Sequence, residues 1–397
     1  MRIGLIVERL VDSDASTYRH IVDLANELAR RGVRVFLIAP LICFCLSAVH
    51  KNVTLVKLPH SRFRMARPLT MVVGIVRAVR QYSISVLYGH IVGKVLLATV
   101  VAGFLTSRRT VLWHCGLDTH EREELKAGPT MISSFRSLAA YVIRWLLFIV
   151  PLRHTTVLIT GTEEMKYTYA RLVRVPIDRI CVVHGYVDTS LFVPMSGDER
   201  RRKMGYTKDA FVFIYVGRLT EQKGVSILLR AFASAWNKNP RIRLLMVGGH
   251  PHSPAAETRR ISEYRRMADT LGLTDVIRFV GSVPNQHLPE CLSVSDALVL
   301  PSPVEGFPRV VVEAFSCGKP VIASDTPGNR EVFGPELEHL LFRPKDEDQL
   351  ACLMVKLSEY PEAGDLARLV RQRALEMFNL ETAGTTYLSV FQRAIAA

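Results

Sequence analysis

The chain has 397 residues, room for two or three domains at about 150 residues each. Its 49% hydrophobic and 22% charged residues exclude a disordered chain, a collagen-like repeat and a small disulfide scaffold. Lys and Arg number 51 against 37 Asp and Glu, a net charge of +14.

The first forty residues read as strand, loop, helix, strand. Ile3–Val7 is an apolar run and Glu8–Tyr18 is polar. Ile21-Val22, Leu24-Ala25 and Leu28-Ala29 recur at helical spacing up to Gly32, and Val33–Ile38 is the next strand. Short β-rich runs follow at Val53–Leu58, Ser83–Tyr88, Thr110–Trp113, Val157–Thr160 and Arg179–His184. Helix-length gaps between such runs predict parallel βαβ units, and so one doubly wound α/β domain. The polar stretch 195–209 is the expected linker. The pattern then restarts with strands at Phe211–Val216, Arg243–Val247, Ile277–Val280, Ala297–Leu300 and Pro320–Ser324. Helical segments are expected at 224–236, 257–271, 310–317 and 347–359, and Asp365–Ala397 reads as helix with no strand after it. The expected domains are 1–194, 195–375 and a terminal helix at 376–397. Two such sheets facing each other would form a cleft at their carboxyl ends, where sheets of this kind bind ligands.

The longest uncharged stretches, Val35–His50 and Val95–Ser107, fall short of the roughly 18 apolar residues a spanning helix needs and read as buried elements. Met1 runs straight into a strand pattern, so no leader is expected and the protein is placed in the cytoplasm. Seven cysteines are odd in number and scattered, without CxxC pairing, which fits free thiols in a reducing compartment. Cys43 and Cys45 are expected in the core.

The charge is uneven. Residues 1–190 carry 25 Lys/Arg and 13 Asp/Glu, whereas residues 191–397 carry 26 and 24. Leu28–Leu117 holds 13 Lys/Arg and no acid. Arg62, Arg64 and Arg67, with Phe63 and Met65 between them, precede a segment whose apolar positions 72, 75, 76 and 79 are helically spaced, with Arg77 and Arg80 elsewhere on it. Such a basic helix suits an anionic membrane surface or an anionic acceptor, with a solvated face on a core-packed helix as the plain alternative. No groove-reading motif accompanies the charge, so nucleic acid is not an expected partner.

Two constellations carry chemistry. In Val216-Gly-Arg-Leu-Thr-Glu-Gln-Lys-Gly224 a strand ends, a glycine turn follows, and Arg218 and Lys223 stand at a helix start, an arrangement suited to a diphosphate. In Pro301-Ser-Pro-Val-Glu-Gly-Phe-Pro-Arg-Val-Val-Val-Glu313, Glu305 sits in a loop after a strand and Glu313 on the helix starting near Arg309. Carboxylates accept hydrogen bonds and sugar hydroxyls donate them, so the two acids are suited to holding two polyols. Glu313 lies among apolar neighbours, and a buried lone Glu needs a partner.

This Glu-x7-Glu pair resembles the signature of retaining family-4 (group 1) glycosyltransferases of the GT-B fold. His184-Gly-Tyr-Val-Asp188 with Phe192-Val-Pro194, Val247-Gly-Gly249 and Arg278-Phe-Val-Gly281 are similar to further segments of that family, so the resemblance covers almost the whole chain. It implies two Rossmann-like domains across a cleft, with the last helix returning to the first domain. It implies a retaining hexosyltransferase acting on a nucleotide diphosphate sugar. Arg218 and Lys223 would hold the diphosphate, Glu313 the ribose, and Glu305 the donor sugar with the amides near Gly306 and Phe307. Gly217, Val283, Arg309 and Val310 complete the donor side. His114 matches the first-domain histidine near the reacting sugar, and His90 is a candidate on the acceptor side; for either, a satisfied core histidine is the plain alternative.

Two departures stand out. The loop after the first strand has no glycine, which leaves Ser16 or Thr17 as the phosphate contact there, and the usual hinge Asn is His184. The segment Gly281–Gln286 lacks an acid for guanine, which tilts the donor toward uridine. No cofactor and no metal ion is expected, since two cations replace Mg²⁺. The expected acceptor is a glycan, lipid or lipid-linked hydroxyl, of lipopolysaccharide type or otherwise anionic, with the protein peripheral on the inner face of the membrane. The alternatives are a sugar-phosphate synthase acting on a small phosphorylated acceptor, a nucleotide-sugar epimerase, and a non-catalytic nucleotide-binding partner.

Overall fold

A computed structural model describes residues 1–11, 19–43, 49–59, 67–90, 93–114, 142–143, 145–249, 254–359 and 363–397. The chain divides into two compact units, Met1–His184 with Leu380–Ala397, and Gly185–Asn379. The second unit therefore begins before the polar stretch 195–209. Val187 and Phe192 are buried in its core, which draws those residues out of the first unit. The two places where the chain leaves and re-enters this unit lie side by side, with Val187 N donating to Phe378 O at 2.9 Å.

The first unit holds a seven-stranded parallel sheet. Its strands are β1 (Arg2–Ile6), β3 (Arg34–Ala39), β5 (Val53–Lys57), β6 (Val86–His90), β7 (Arg109–Trp113), β8 (Val157–Thr160) and β9 (Ile180–Val182), ordered β5-β3-β1-β6-β7-β8-β9. β2 (Leu10–Val11) and β4 (Ile42–Cys43) form a separate parallel pair. The central strands are apolar throughout because both faces are covered, and Leu5, Leu37, Leu87 and Leu112 are fully buried. Helix α1 (Arg19–Arg30) packs against the helix Leu380–Ala396. Arg31 joins them, donating to Thr385 Oγ1 at 2.9 Å and Glu381 O at 2.8 Å. Tyr387 and Phe391 set their ring edges against Tyr88, at centroid distances of 6.0 and 5.9 Å. These contacts place the last helix in the first unit.

Helix α2 (Arg67–Tyr82) uses Met71, Ile75, Ala78 and Val79 for the core, with Val72 and Val76 packed at its edge. Its outer side presents Leu69, Val73, Arg77 and Arg80, all exposed. Helix α3 (Gly93–Thr106) takes up Val95–Thr106, buried as expected at Val95, Leu96 and Ala102 but exposed at Phe104 and Leu105 near its end, and no helix of the described residues is long and apolar enough to cross a membrane.

The expected core position of Cys43 is wrong. Cys43 is exposed: among the described residues β4 pairs only with the two-residue β2, apart from the seven-stranded sheet; Cys45 lies outside the described residues. Among the described residues the cysteines are free thiols.

The second unit has a six-stranded parallel sheet. β10 (Phe211–Val216), β11 (Ile242–Val247), β12 (Ile277–Gly281), β13 (Ala297–Leu300), β14 (Val321–Ser324) and β15 (Leu341–Phe342) are ordered β12-β11-β10-β13-β14-β15. The two-residue β15 is too short to announce itself in the sequence. The helices Val225–Lys238, Pro254–Thr270, Arg309–Ser316 and Glu347–Ser358 stand within a few residues of the segments expected. Each fully buried aromatic of this core, such as Phe213, Phe232 or Phe342, contributes about 1.5–3 kcal/mol.

Candidate functional site

In the second unit the strand order reverses between β10 and β13, so the loops after these two strands flank a topological switch point, the place where open α/β sheets bind ligands. Two glycines allow close approach here, Gly248 between the loops after β11 and β10, and Gly224 between the loops after β10 and β13. Gly248 has φ +134°, and a Cβ there would strike Gly217 O. Gly224 has φ +69°, and a Cβ there would strike Pro301 O. The second contact carries Lys223 beside Glu305. Lys223 Nζ lies 2.6 Å from Glu305 Oε1, and the two side chains are 25% and 10% exposed.

The remainder of the first loop is fixed by hydrogen bonds. Tyr215 Oη donates to Arg218 O at 2.7 Å. Glu221 accepts from Ser226 and, at 3.1 Å, from Tyr264. Arg218 itself is exposed and joins no ion pair among the described residues. Two hydroxyls on the paired loops, Thr220 Oγ1 and Ser302 Oγ, are buried without a hydrogen-bond partner. An unpaired buried hydroxyl costs about 1–3 kcal/mol and calls for an explanation.

Glu313 lies on the helix Arg309–Ser316 and is 6% exposed. Asn285 Nδ2 donates to its Oε1 at 3.1 Å, and Arg309 Nη2 stands 3.6 Å from the same oxygen. Burial raises the carboxyl pKa, opposed by Arg309 and by the Asn285 hydrogen bond. Val283 and Val310 are half-buried and pack on the core at their inner sides. The Phe307 ring fills the space a Cβ on Gly185 would need and meets Phe378 edge-on at 5.8 Å, so its side chain serves packing. Sequence reasoning missed Asn285, Tyr215 and Tyr264. The need of a buried Glu for a partner was a usable signal; which residue supplies it was not.

In the first unit the switch point lies between β1 and β6. His90, at the end of β6, is 1% exposed. Its ring stacks on Trp113 at 4.4 Å, its Nδ1 meets Tyr88 Oη at 2.8 Å, and its Nε2 meets His20 Nε2 at 2.9 Å. His20, at the start of α1, was not anticipated. His114 follows β7 and is buried against Tyr169 Oη, which contacts its Nδ1; Tyr169 belongs to the π-helical segment Tyr169–Val173. Arg67 lines a cavity of about 140 Å³ with Glu8, Arg9 and Lys94. Ser16, Thr17, Arg62 and Arg64 lie outside the described residues. Among the described residues no group of three His, Cys, Asp or Glu is placed to hold a metal ion.

Burial lowers the His114 pKa to about 4, so the imidazole is neutral at physiological pH. The folded-state pKa lies below the unfolded value of about 6.5, so the unfolded chain binds the extra proton between the two. Stability is then expected to fall as pH drops from about 6.5 toward 4, and His114→Gln is expected to flatten that slope. Urea midpoints measured across this window check it; equal slopes in both proteins would refute it.

Residues 197–374 match the family model described as glycosyl transferases group 1, and residues 18–191 match the one described as glycosyltransferase family 4. D-inositol 3-phosphate glycosyltransferase of Thermomonospora curvata is 31% identical over 211 residues, which are 51% of this chain and 49% of that protein. The chain thus spans about half the length of the curated relatives it matches. Among solved structures, sucrose-phosphate synthase from Thermosynechococcus elongatus superposes with TM-score 0.77 at 20% identity, covering 100% of this chain and 99% of that one. Anabaena Alr3699/HepE in complex with UDP-glucose gives TM-score 0.75 at 18% identity, covering 99% and 100%. These structural likenesses establish the fold, two Rossmann-like parallel-sheet domains of the GT-B type.

Proposed function

Because the chain belongs to the group 1 glycosyltransferases, we propose that it moves a sugar from a nucleotide diphosphate sugar, a UDP-sugar by preference, to a hydroxyl of an anionic acceptor, with retention at the anomeric carbon. The observation that carries this is the switch point of the second unit. There the Lys223–Glu305 pair and the exposed Arg218 stand on adjoining loops, and the one-sidedly bonded Glu313 stands on the helix that follows the second of them. In this reading Arg218 and Lys223 hold the diphosphate without a metal ion, Glu305 and the backbone at Gly306 and Phe307 hold the sugar, and Glu313 holds the ribose. The unpaired hydroxyls of Thr220 and Ser302 find partners in the bound donor.

The bond between the anomeric carbon and the leaving phosphate oxygen breaks, and the acceptor oxygen bonds to the same face. The acceptor proton passes to the departing phosphate, giving nucleoside diphosphate and glycoside. Negative charge grows on the diphosphate in the transition state, so fixed cations there contribute most of the rate. In the first unit His114 is a neutral imidazole whose Nδ1 is occupied by Tyr169, which leaves Nε2 as its remaining polar atom. Release of UDP from UDP-glucose, UDP-galactose and UDP-N-acetylglucosamine, with and without lipid-linked saccharides, tests the reading. No release with any combination, together with no binding of UDP, would overturn it.

An acceptor at an anionic membrane is supported by the outer stripe of α2, Leu69, Val73, Arg77 and Arg80, in a segment free of acids. Each basic residue near such a surface contributes about 1 kcal/mol. Arg77→Ala/Arg80→Ala is expected to weaken binding to phosphatidylglycerol vesicles about tenfold at low salt. Co-sedimentation that is salt-independent, or unchanged in the variant, counts against it. A small phosphorylated acceptor is the second reading. It is favoured by the cavity where Arg9, Arg67 and Lys94 meet Glu8, and by the relatives named for inositol 3-phosphate and sucrose phosphate. UDP release stimulated by sugar phosphates and not by lipid-linked saccharides would select it.

A further inference from the structure

We propose that Asn285 is a positioning residue for donor binding, its side-chain amide engaging Oε1 of Glu313 so that Oε2 is presented to the ribose hydroxyls. This rests on the reading of Glu313 as the ribose acceptor.

A carboxylate has two oxygens and about four acceptor sites. In Glu313 they are unequal. Both the Asn285 hydrogen bond, at 3.1 Å, and the Arg309 guanidinium, at 3.6 Å, are directed to Oε1. No described residue donates to Oε2. A side chain this buried, with one oxygen satisfied and the other left over, is poised to accept from a ligand.

Asn285 opens the short turn Asn285–His287 after β12, and Glu313 lies on a helix 28 residues later, so the contact ties two separate walls of the site. The amide is suited to this task in a way an acid is not. It donates at every pH and adds no charge to a pocket whose carboxylate is already costly to ionise. It also favours the ionised form of Glu313, the form that accepts. Among the described residues, the other charged or titratable groups near Glu313 or on the elements beside it include these. Arg309 comes from its own helix and Cys317 stands one turn on, its thiol pushed up to about 12 and hence neutral. Lys319 donates to Ser295 O, and Arg371, from the helix Ala363–Met377, donates to Ser316 O.

The test is UDP titration by calorimetry of the intact protein, Asn285→Ala, Glu313→Ala and the double variant, at about pH 8 and about pH 6. Asn285→Ala is expected to weaken UDP about tenfold at the higher pH, and more at the lower, because Glu313 protonates more readily without its donor. KM for the donor rises while kcat stays within about threefold, the pattern of lost uniform binding. Asn285→Ala adds little in the Glu313→Ala background, since it acts through that carboxylate. A loss of the same size at both pH values, full additivity, or unchanged affinity in Asn285→Ala overturns the inference. If Glu313→Ala itself leaves UDP binding intact, the ribose reading fails and the inference falls with it. If Glu313→Ala weakens UDP and Asn285→Ala does not, only the inference fails.

Discussion

Arg218→Ala is expected to lower kcat by roughly 10²–10³-fold, about 3–4 kcal/mol of barrier, with the unfolding midpoint almost unchanged. The expectation follows from how differently the two cations of the loop are held. Lys223 is already neutralised by Glu305 at 2.6 Å, so its charge is shared before any donor arrives. Arg218 is exposed and unpaired among the described residues, while its backbone is fixed through the carbonyl that Tyr215 donates to at 2.7 Å. A cation whose position is set but whose charge is uncommitted needs no reorganisation when charge develops on the leaving diphosphate. Its removal should therefore cost transition-state stabilisation rather than fold. Lys223→Ala should behave otherwise. It leaves Glu305, 10% exposed, without its counter-ion, and so lowers both the unfolding midpoint and kcat. Steady-state kinetics beside thermal unfolding separate the two. A loss below threefold in Arg218→Ala would remove that residue from the chemistry.

The parts of this molecule that were legible in the sequence are those that depend on local pattern. Doubly covered parallel strands must be apolar throughout, so β1, β3, β10 and β13 announce themselves. The glycine turn at Gly217–Gly224 and Glu305 follow strand ends and Glu313 stands on the next helix, positions that the alternation of strand and helix locates. What was not legible depends on pairing at a distance. That Lys223 and Glu305 meet requires the switch point to bring β10 beside β13, and the sequence separation of 82 residues gives no hint of it. The same holds for Asn285 with Glu313, and for His20 with His90 across 70 residues. Cys43 misleads because its strand lies apart from the seven-stranded sheet, which apolar neighbours alone do not reveal. In the basic helix Ile75 and Val79 face the core and Arg77 and Arg80 face out, a placement common to both of its readings that does not choose between them.

Glu313→Leu is expected to hold or raise the unfolding midpoint of the free protein while weakening UDP about 100-fold, roughly 3 kcal/mol. The two effects have one cause. Burial raises the pKa of Glu313, so keeping it ionised at neutral pH costs folding free energy, which Arg309 and Asn285 offset only in part. The sign follows from linkage. The folded-state pKa lies above the unfolded value of 4.5, so the folded chain holds the extra proton between the two, and the contribution to stability declines as pH rises through that window. A leucine of similar volume removes this cost, and Arg309, 30% exposed, can turn to solvent. A group that weakens its own fold is retained for what it binds. Ligand contact follows the opposite sign, because only the carboxylate accepts from both ribose hydroxyls. UDP affinity in the unaltered protein should therefore decline as pH falls through the raised pKa, and Glu313→Leu should lose that dependence. Deoxy-UDP, which lacks one of those hydroxyls, should bind about tenfold more weakly than UDP to the unaltered protein and equally weakly to the variant. Thermal unfolding with each nucleotide at two pH values reads all of these quantities. If the variant still prefers UDP to deoxy-UDP, the ribose is held elsewhere and the cost of burying Glu313 needs another explanation.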